Sequence, residues 1–236
     1  MTQPPLSVLH EDNHCVVIDK PARTLTAGDD TGDRALLDEV RDYLRIKYDK
    51  PGNVFVGLVH RLDRPVSGVV LFARTSKGAA RLAEQFRTGS VRKQYLAVVA
   101  GRPPRPEGEL VDWLLKDPRT NLVRRVPTGT PASGGDPPRE SRLRYAVVQT
   151  VGDRSVLLVE PLTGRSHQIR VQLSGMGTPI LGDVKYGGPG GWEGSIALHA
   201  WRLDFEHPTR RDAISVTAPI PAEWTRRLGF RLQPPE

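Results

Sequence analysis

Short apolar runs punctuate the chain: LSVL, CVVID, VFVGLV, GVVLFA, QYLAVVA, RLRYAVVQ, SVLLVE, IALHAWRLDF and AISVTAP. Each is rich in Val, Leu and Ile and bounded by Gly, Pro, Asp or Asn, which predicts strands. Helical spacing appears in four places. ALLDEVRDYLRIKY, residues 35–48, puts Leu36, Leu37, Val40, Tyr43 and Leu44 on one face. SKGAARLAEQFR, residues 76–87, opens on Ser76 as the expected N-cap. RSHQIRVQLSGMG, from Arg165, follows a Thr-Gly pair and ends in glycine, and TAPIPAEWTRRLGF holds a short helix near the C-terminus. Strands that do not alternate strictly with long helices exclude a doubly wound parallel sheet. They predict an α+β fold with a mixed, mainly antiparallel sheet and flanking helices.

Residues 101–109, GRPPRPEGE, and 127–140, PTGTPASGGDPPRE, read as loops. The second has Ala132 as its only apolar side chain apart from proline, which predicts a mobile excursion. Neither a repeat nor a clean linker is visible, so residues 1–236 are expected to form one domain, with its patterned core over about 6–231.

Lys and Arg number 34 against 27 Asp and Glu, a formal charge of +7 that favours an anionic partner such as a nucleic acid or a phosphorylated substrate. Cys15, the single cysteine, rules out an intramolecular disulfide and a thiolate zinc cluster, and suits a reducing compartment. The opening MTQPPLSVLHEDNH lacks the basic start and apolar centre of a signal peptide. No run reaches the roughly 18 apolar residues of a membrane span, so a soluble cytoplasmic protein is expected.

Two stretches imitate other chemistry. HEDNH, residues 10–14, spells the H-E-x-x-H zinc signature, but that signature requires both imidazoles on one helix face. Between two strand-like runs, with Asp12-Asn13 at its centre, it predicts a hairpin turn. HRLD shares letters with the kinase H-R-D loop, yet no D-F-G follows and no glycine-rich loop precedes it. His167 and His199 lack the carboxylate or cysteine neighbours of a metal site, and no metal is expected.

Three polar stretches stand where core elements would be apolar. HRLDRPVSG, residues 60–68, places Asp63 between Arg61 and Arg64 in a loop between apolar runs. A carboxylate beside guanidiniums is held ionised, ready to act as nucleophile or base. KQYLAVVAG sets Tyr95 in an otherwise apolar strand, where a phenol needs a partner. In PLTGRSHQIRVQLSGMGTPILGDVKYG, Arg165, His167, Gln168 and Arg170 crowd one expected helix start, where the dipole disfavours cations and an anion would offset them.

Together, H-R-L-D-R-x-x-S-G, K-x-Y-L-A, L-T-G-R-x-H-Q-I-R and P-I-L-G-D-x-K-Y-G resemble the RluA-type RNA pseudouridine synthases, and CVVIDKPA resembles that family's opening strand with its K-P pair. The resemblance spans nearly the whole chain. It implies a catalytic fold with an RNA-binding cleft, and an isomerase that detaches uracil from ribose, turns it and rejoins it through carbon. It implies no cofactor and no metal. Asp63 would be catalytic, supported by Tyr95 against the target base and by an arginine paired with the aspartate, Arg170 in preference to Arg165. Arg61, Arg64, His167, Gln168 and Lys20 would contact RNA, with Arg61 entering it to displace the target. The expected partner is rRNA or tRNA, not DNA or a membrane, and the expected state is a monomer.

The chain departs from the pattern in two places. Val66 stands where the family has threonine, and PARTLTAGDDTG follows the K-P lysine in place of glycine and small apolar residues. Relatives with a small N-terminal RNA-binding domain differ further, since Leu6 already begins the catalytic pattern, and recognition is then expected from the catalytic domain with help from the basic stretch Arg119 to Arg125. Two other readings compete: a silent RNA-binding or ribosome-assembly protein on the same scaffold, and an Asp-dependent hydrolase, for which a metal-binding carboxylate set is missing.

Overall fold

The computed structural model describes residues 6–29, 31–132 and 136–233. Among these, two compact units are apparent: residues up to Lys93 with His199–Ile220, and Gln94–Leu198 with the segment from Pro221.

In the first unit, β1 (Val8–Glu11) and β2 (Cys15–Lys20) form an antiparallel hairpin, Glu11 opposite Val16. β2 continues antiparallel onto β4 (Ser67–Ala73), which is buried along its whole length. β3 (Gly57–Leu58) also pairs with β4, and β10 (Leu198–Glu206) runs parallel to β4, His199 opposite Ser67. β11 (Ala213–Thr217) closes this part of the sheet antiparallel to β10. Alternate residues of the strands, Cys15, Val17, Val69, Leu71, Leu203 and Phe205, share one apolar cluster with Leu82. Leu82 comes from α2 (Ser76–Thr88), whereas α1 (Leu36–Lys47) buries Leu36, Val40 and Leu44 at four-residue spacing. Asp38 and Glu39 in the first turn of α1 and Arg45 and Lys47 in its last turn suit the helix dipole. The N-cap of α2 is Thr75, one residue before the expected Ser76, because the Thr75 side chain accepts from the Gly78 N–H.

The second unit is an antiparallel meander of β5 (Arg92–Ala100), β9 (Arg154–Pro161), β8 (Arg139–Val151), β6 (Glu107–Asp117) and β7 (Leu122–Val126), in that spatial order. α3 (Gln168–Gly175), a 3-10 turn (Val184–Tyr186) and α4 (Ala222–Leu228) complete it. Trp224 of α4 is buried edge-on against Trp192, ring centroids 5.9 Å apart.

β6 and β7 are absent from the apolar-run reading, and β6 takes in Glu107–Glu109, which that reading assigned to a loop. The cause is tertiary: Gly108 pairs with Tyr145 and packs against its ring, so the polar strand is held by its neighbour rather than by its own apolar content. The mixed, mainly antiparallel α+β architecture is as expected. Residues 133–135, at the centre of the loop expected to be mobile, lie outside the described residues. Among the described residues, no helix is long and apolar enough to cross a membrane.

Candidate active site

HEDNH is the predicted hairpin turn: β1 ends at Glu11 and β2 starts at Cys15. Asp12 Oδ1 accepts from the N–H groups of His14 and Cys15 at 2.7 and 2.9 Å, an Asx turn that closes the hairpin. The ring of His207 bonds Oδ2 at 2.9 Å, and Glu11 accepts from Tyr43 and Lys47, each at 2.8 Å. Ligand atoms of His10, Asp12 and Cys15 do lie within 4.8 Å of one another, but the aspartate is committed to the turn.

The HRLD loop runs from β3 to β4, and its backbone is fastened on both sides of Asp63. Before it, Leu62 is buried, its N–H donating to Thr26 Oγ1 (3.1 Å) and its carbonyl accepting from the same hydroxyl (2.8 Å). After it, the Arg64 carbonyl accepts from the Arg23 N–H (2.7 Å) and from Lys20 Nζ (3.4 Å). The Asp63 carbonyl accepts from Val66 N–H at 3.0 Å, closing the turn through Pro65. Asp63 itself is half-buried, so its carboxylate is presented from a rigid backbone.

Two expectations for this loop are corrected. Lys20 does not reach RNA: it is wholly buried, and Nζ donates to the carbonyls of Pro21 (3.0 Å), Thr24 (2.7 Å) and Arg64. Burial pushes its ammonium down to about 7, against the opposing attraction of the Asp63 charge. Lys20 is therefore the interior cation that Asp63 feels. The Arg64 guanidinium turns instead to Asp33 (2.5 Å) and the Arg23 carbonyl (3.2 Å), and both Arg61 and Arg64 are exposed.

The rest of the motif is structural. His60 accepts from the Leu71 N–H at 2.9 Å and stacks on Phe86, and burial and the charge of Lys93 push it down to about 3, so it is neutral. Ser67 bonds the buried ring of His199 at 2.8 Å, which burial pushes down to about 4. Gly68 has φ +113°, and a Cβ there would lie 2.2 Å from the carbonyl oxygen of Ala200 on the paired strand. Only glycine fits.

In the second unit, Tyr95 stands half-buried on β5 opposite Val159. α3 starts at Gln168 rather than near Arg165, because the Gln168 side chain organises the residues before it. Its Oε1 accepts from Thr163 Oγ1 (2.8 Å) and the Arg165 N–H (3.1 Å), and its Nε2 donates to the Arg142 carbonyl (2.9 Å). Gln168 is thus a buried brace, not the RNA contact expected of it. The turn it holds leaves Arg165 exposed and His167 half-buried in a left-handed conformation, φ 52°.

Arg170 is buried, with Nε and Nη2 donating to the two oxygens of Asp183 at 2.7 and 2.8 Å. The carboxylate in that fork is Asp183. Asp183, Thr26 and Tyr186 are the positioning residues the sequence reading left without a role. Asp183 and Tyr186 lie in the quoted PILGDVKYG run, but nothing in the spacing shows that this segment folds back onto α3.

Residues 14–175 match the family described as RNA pseudouridylate synthase. The chain is 34% identical to the ribosomal large subunit pseudouridine synthase D of Xanthomonas campestris, over 95% of this chain and 69% of that protein. It is 36% identical to the dual-specificity RNA pseudouridine synthase RluA of Escherichia coli O6:H1, over 92% and 94% of the two chains. The structure of the human RNA pseudouridylate synthase domain containing 4 superposes with a TM-score of 0.81 at 23% identity, covering 96% of this chain and 94% of that one, and shows the shared fold. The class is thereby defined as an isomerase that acts on uridine in RNA from an α+β scaffold. The chain belongs to the RNA pseudouridylate synthase family.

Proposed function

We propose that Asp63 is the catalytic carboxylate, and that residues 1–236 act as one catalytic domain on structured ribosomal or transfer RNA, as a monomer in the cytoplasm. The supporting observation is the fastening of Leu62 and Arg64 on either side of Asp63 by Thr26 and the wholly buried Lys20. Burying an ammonium is expensive, and here it serves to hold a loop and to set a positive charge behind a carboxylate.

In the reaction the N1–C1′ bond of uridine breaks, the base turns, and C5 bonds to C1′. The C5 proton leaves and N1 gains one, so no redox partner is needed. Asp63 acts on the ribose, by attack at C1′ or by taking the proton of C2′. Tyr95 packs against the uracil, and Arg61, Arg64, Arg165 and His167 hold the RNA, the flipping cost of a few kcal/mol being offset by phosphate contacts. Arg170, in preference to Arg165, is the arginine that supports the reaction, its guanidinium fixed by Asp183.

Tritium release from RNA labelled at C5 of uridine tests this, with rRNA and tRNA lacking pseudouridine assayed separately. The native protein is expected to release tritium, and Asp63→Asn to bind RNA but release none. Release by Asp63→Asn at the native rate would remove Asp63 from the chemistry. RNA binding without release by the native protein would favour the silent binding protein.

A further inference from the structure

The segment that departs from the family pattern after Lys20 folds back on the HRLDR loop. Its base is closed: Leu25 forms a parallel bridge to Ala35, and the N–H groups of Leu36 and Leu37 donate to the carbonyls of Leu25 (2.8 Å) and Thr26 (3.1 Å). Residues 27–34, AGDDTGDR, thus form a closed loop ahead of α1, and their sequence carries the carboxylates of Asp29, Asp30 and Asp33.

Asp33 reaches Arg64 from this loop. Its Oδ2 accepts from Nη2 at 2.5 Å, while Nε of Arg64 donates to the Arg23 carbonyl at 3.2 Å. Both partners of the ion pair are about half exposed, 45% for Arg64 and 52% for Asp33. Asp29 stands in the same field. Its Oδ1 accepts from the N–H and the hydroxyl of Thr31, and these bonds, then the charges of Arg64 and Arg61, hold its carboxyl below the usual range.

An exposed ion pair adds little to folding. The loop does not need this one, since the Arg64 carbonyl is already held by the Arg23 N–H and by Lys20. What the pair alters is the charge that an anion meets. A bare guanidinium offers a phosphate a forked, charge-assisted contact, whereas Arg64 meets it with a carboxylate already in place.

We infer that Asp33 sets the affinity of the protein for RNA: it occupies Arg64 as an internal counterpart of a phosphate oxygen, and RNA either displaces it or shares the guanidinium with it. The inference rests on the reading that Arg64 holds RNA. Tethered by the closed loop, Asp33 competes at a fixed effective concentration whatever the amount of RNA. Substrate and product are loosened alike, which shortens the stay of the product on the enzyme.

Filter binding of rRNA and tRNA over a range of salt concentrations tests this, read beside KM in tritium release. Asp33→Asn, a change of charge with little change of shape, is expected to tighten binding and lower KM by about threefold, the scale of an exposed ion pair. Its salt dependence is expected to steepen, because Arg64 then enters the complex uncompensated. Asp38→Asn removes the same charge from an exposed pair with Arg41 on α1, and is expected to bind RNA as the native protein does. In an Arg64→Gln background the gain from Asp33→Asn is expected to vanish, since Asp33 acts through that guanidinium.

Unchanged binding in Asp33→Asn overturns the inference, and so does weaker binding, which would make Asp33 a support that aims Arg64. A gain that persists in Arg64→Gln, or that Asp38→Asn reproduces, overturns it too and leaves general charge as the cause. Native affinity in Arg64→Gln alone is a failure of the reading that Arg64 holds RNA, and takes the inference with it. RNA binding without tritium release is a failure of the proposed reaction, and filter binding still decides the role of Asp33.

Discussion

Replacing Lys20 with methionine tests the electrostatics of the Asp63 loop. In the folded chain the buried ammonium titrates at about 7, against an ordinary 10.5. Between those values the unfolded chain still holds the proton and the folded chain has released it. The unfolded state therefore binds more protons, and stability rises with pH across that window. The whole gap corresponds to about 5 kcal/mol, and by pH 9 about 3 kcal/mol of it has been recovered. Asp19, which burial pushes up to about 6, has finished titrating below this range. Methionine fills the same slot without a charge, so the rise is expected to vanish, and the carbonyls of Pro21, Thr24 and Arg64 lose their donor. Urea unfolding of both proteins at pH 7, 8 and 9 measures the difference. At pH 7 the two are expected to lie closest, and at pH 9 the native protein is expected to lead by about 2 kcal/mol more than at pH 7. Parallel curves for the two proteins would show that Lys20 keeps an ordinary ammonium, and would refute the argument that burial lowers its pKa.

Two further outcomes rest on packing. Gly68→Ala is expected to cost about 3 kcal/mol or more, because the new Cβ collides with the Ala200 carbonyl and parts the β4–β10 pair. Gly89→Ala, also at positive φ but with open space around it, is expected to cost only about 1 kcal/mol, so equal losses in denaturant titrations would contradict the steric argument. Asp183→Asn removes the carboxylate paired with the buried guanidinium of Arg170, for a loss of about 3 kcal/mol and a fall in Tm of roughly 10 °C. An unchanged Tm in a calorimetric scan would mean that the pair contributes nothing to the folded state.

Much of the molecule is legible in its sequence because it depends on local chemistry. The spacing of Leu36, Val40 and Leu44 fixes the buried face of α1, and Asp12-Asn13 writes the hairpin turn that disqualifies a zinc helix. The order of the polar motifs is enough to recognise the family and to single out Asp63. What the sequence does not carry is which polar group meets which across the fold. Lys20 and Gln168 look like surface contacts in a basic protein, yet one is sealed behind the Asp63 loop and the other braces the turn before α3. Arg170 meets Asp183 because the segment after α3 folds back onto it. Glu107–Glu109 become a strand only through Tyr145 and its neighbours on β8. Local propensity and motif order are properties of neighbouring residues, whereas burial of a charge is decided by distant segments that supply its partners, and only the tertiary structure brings those segments together.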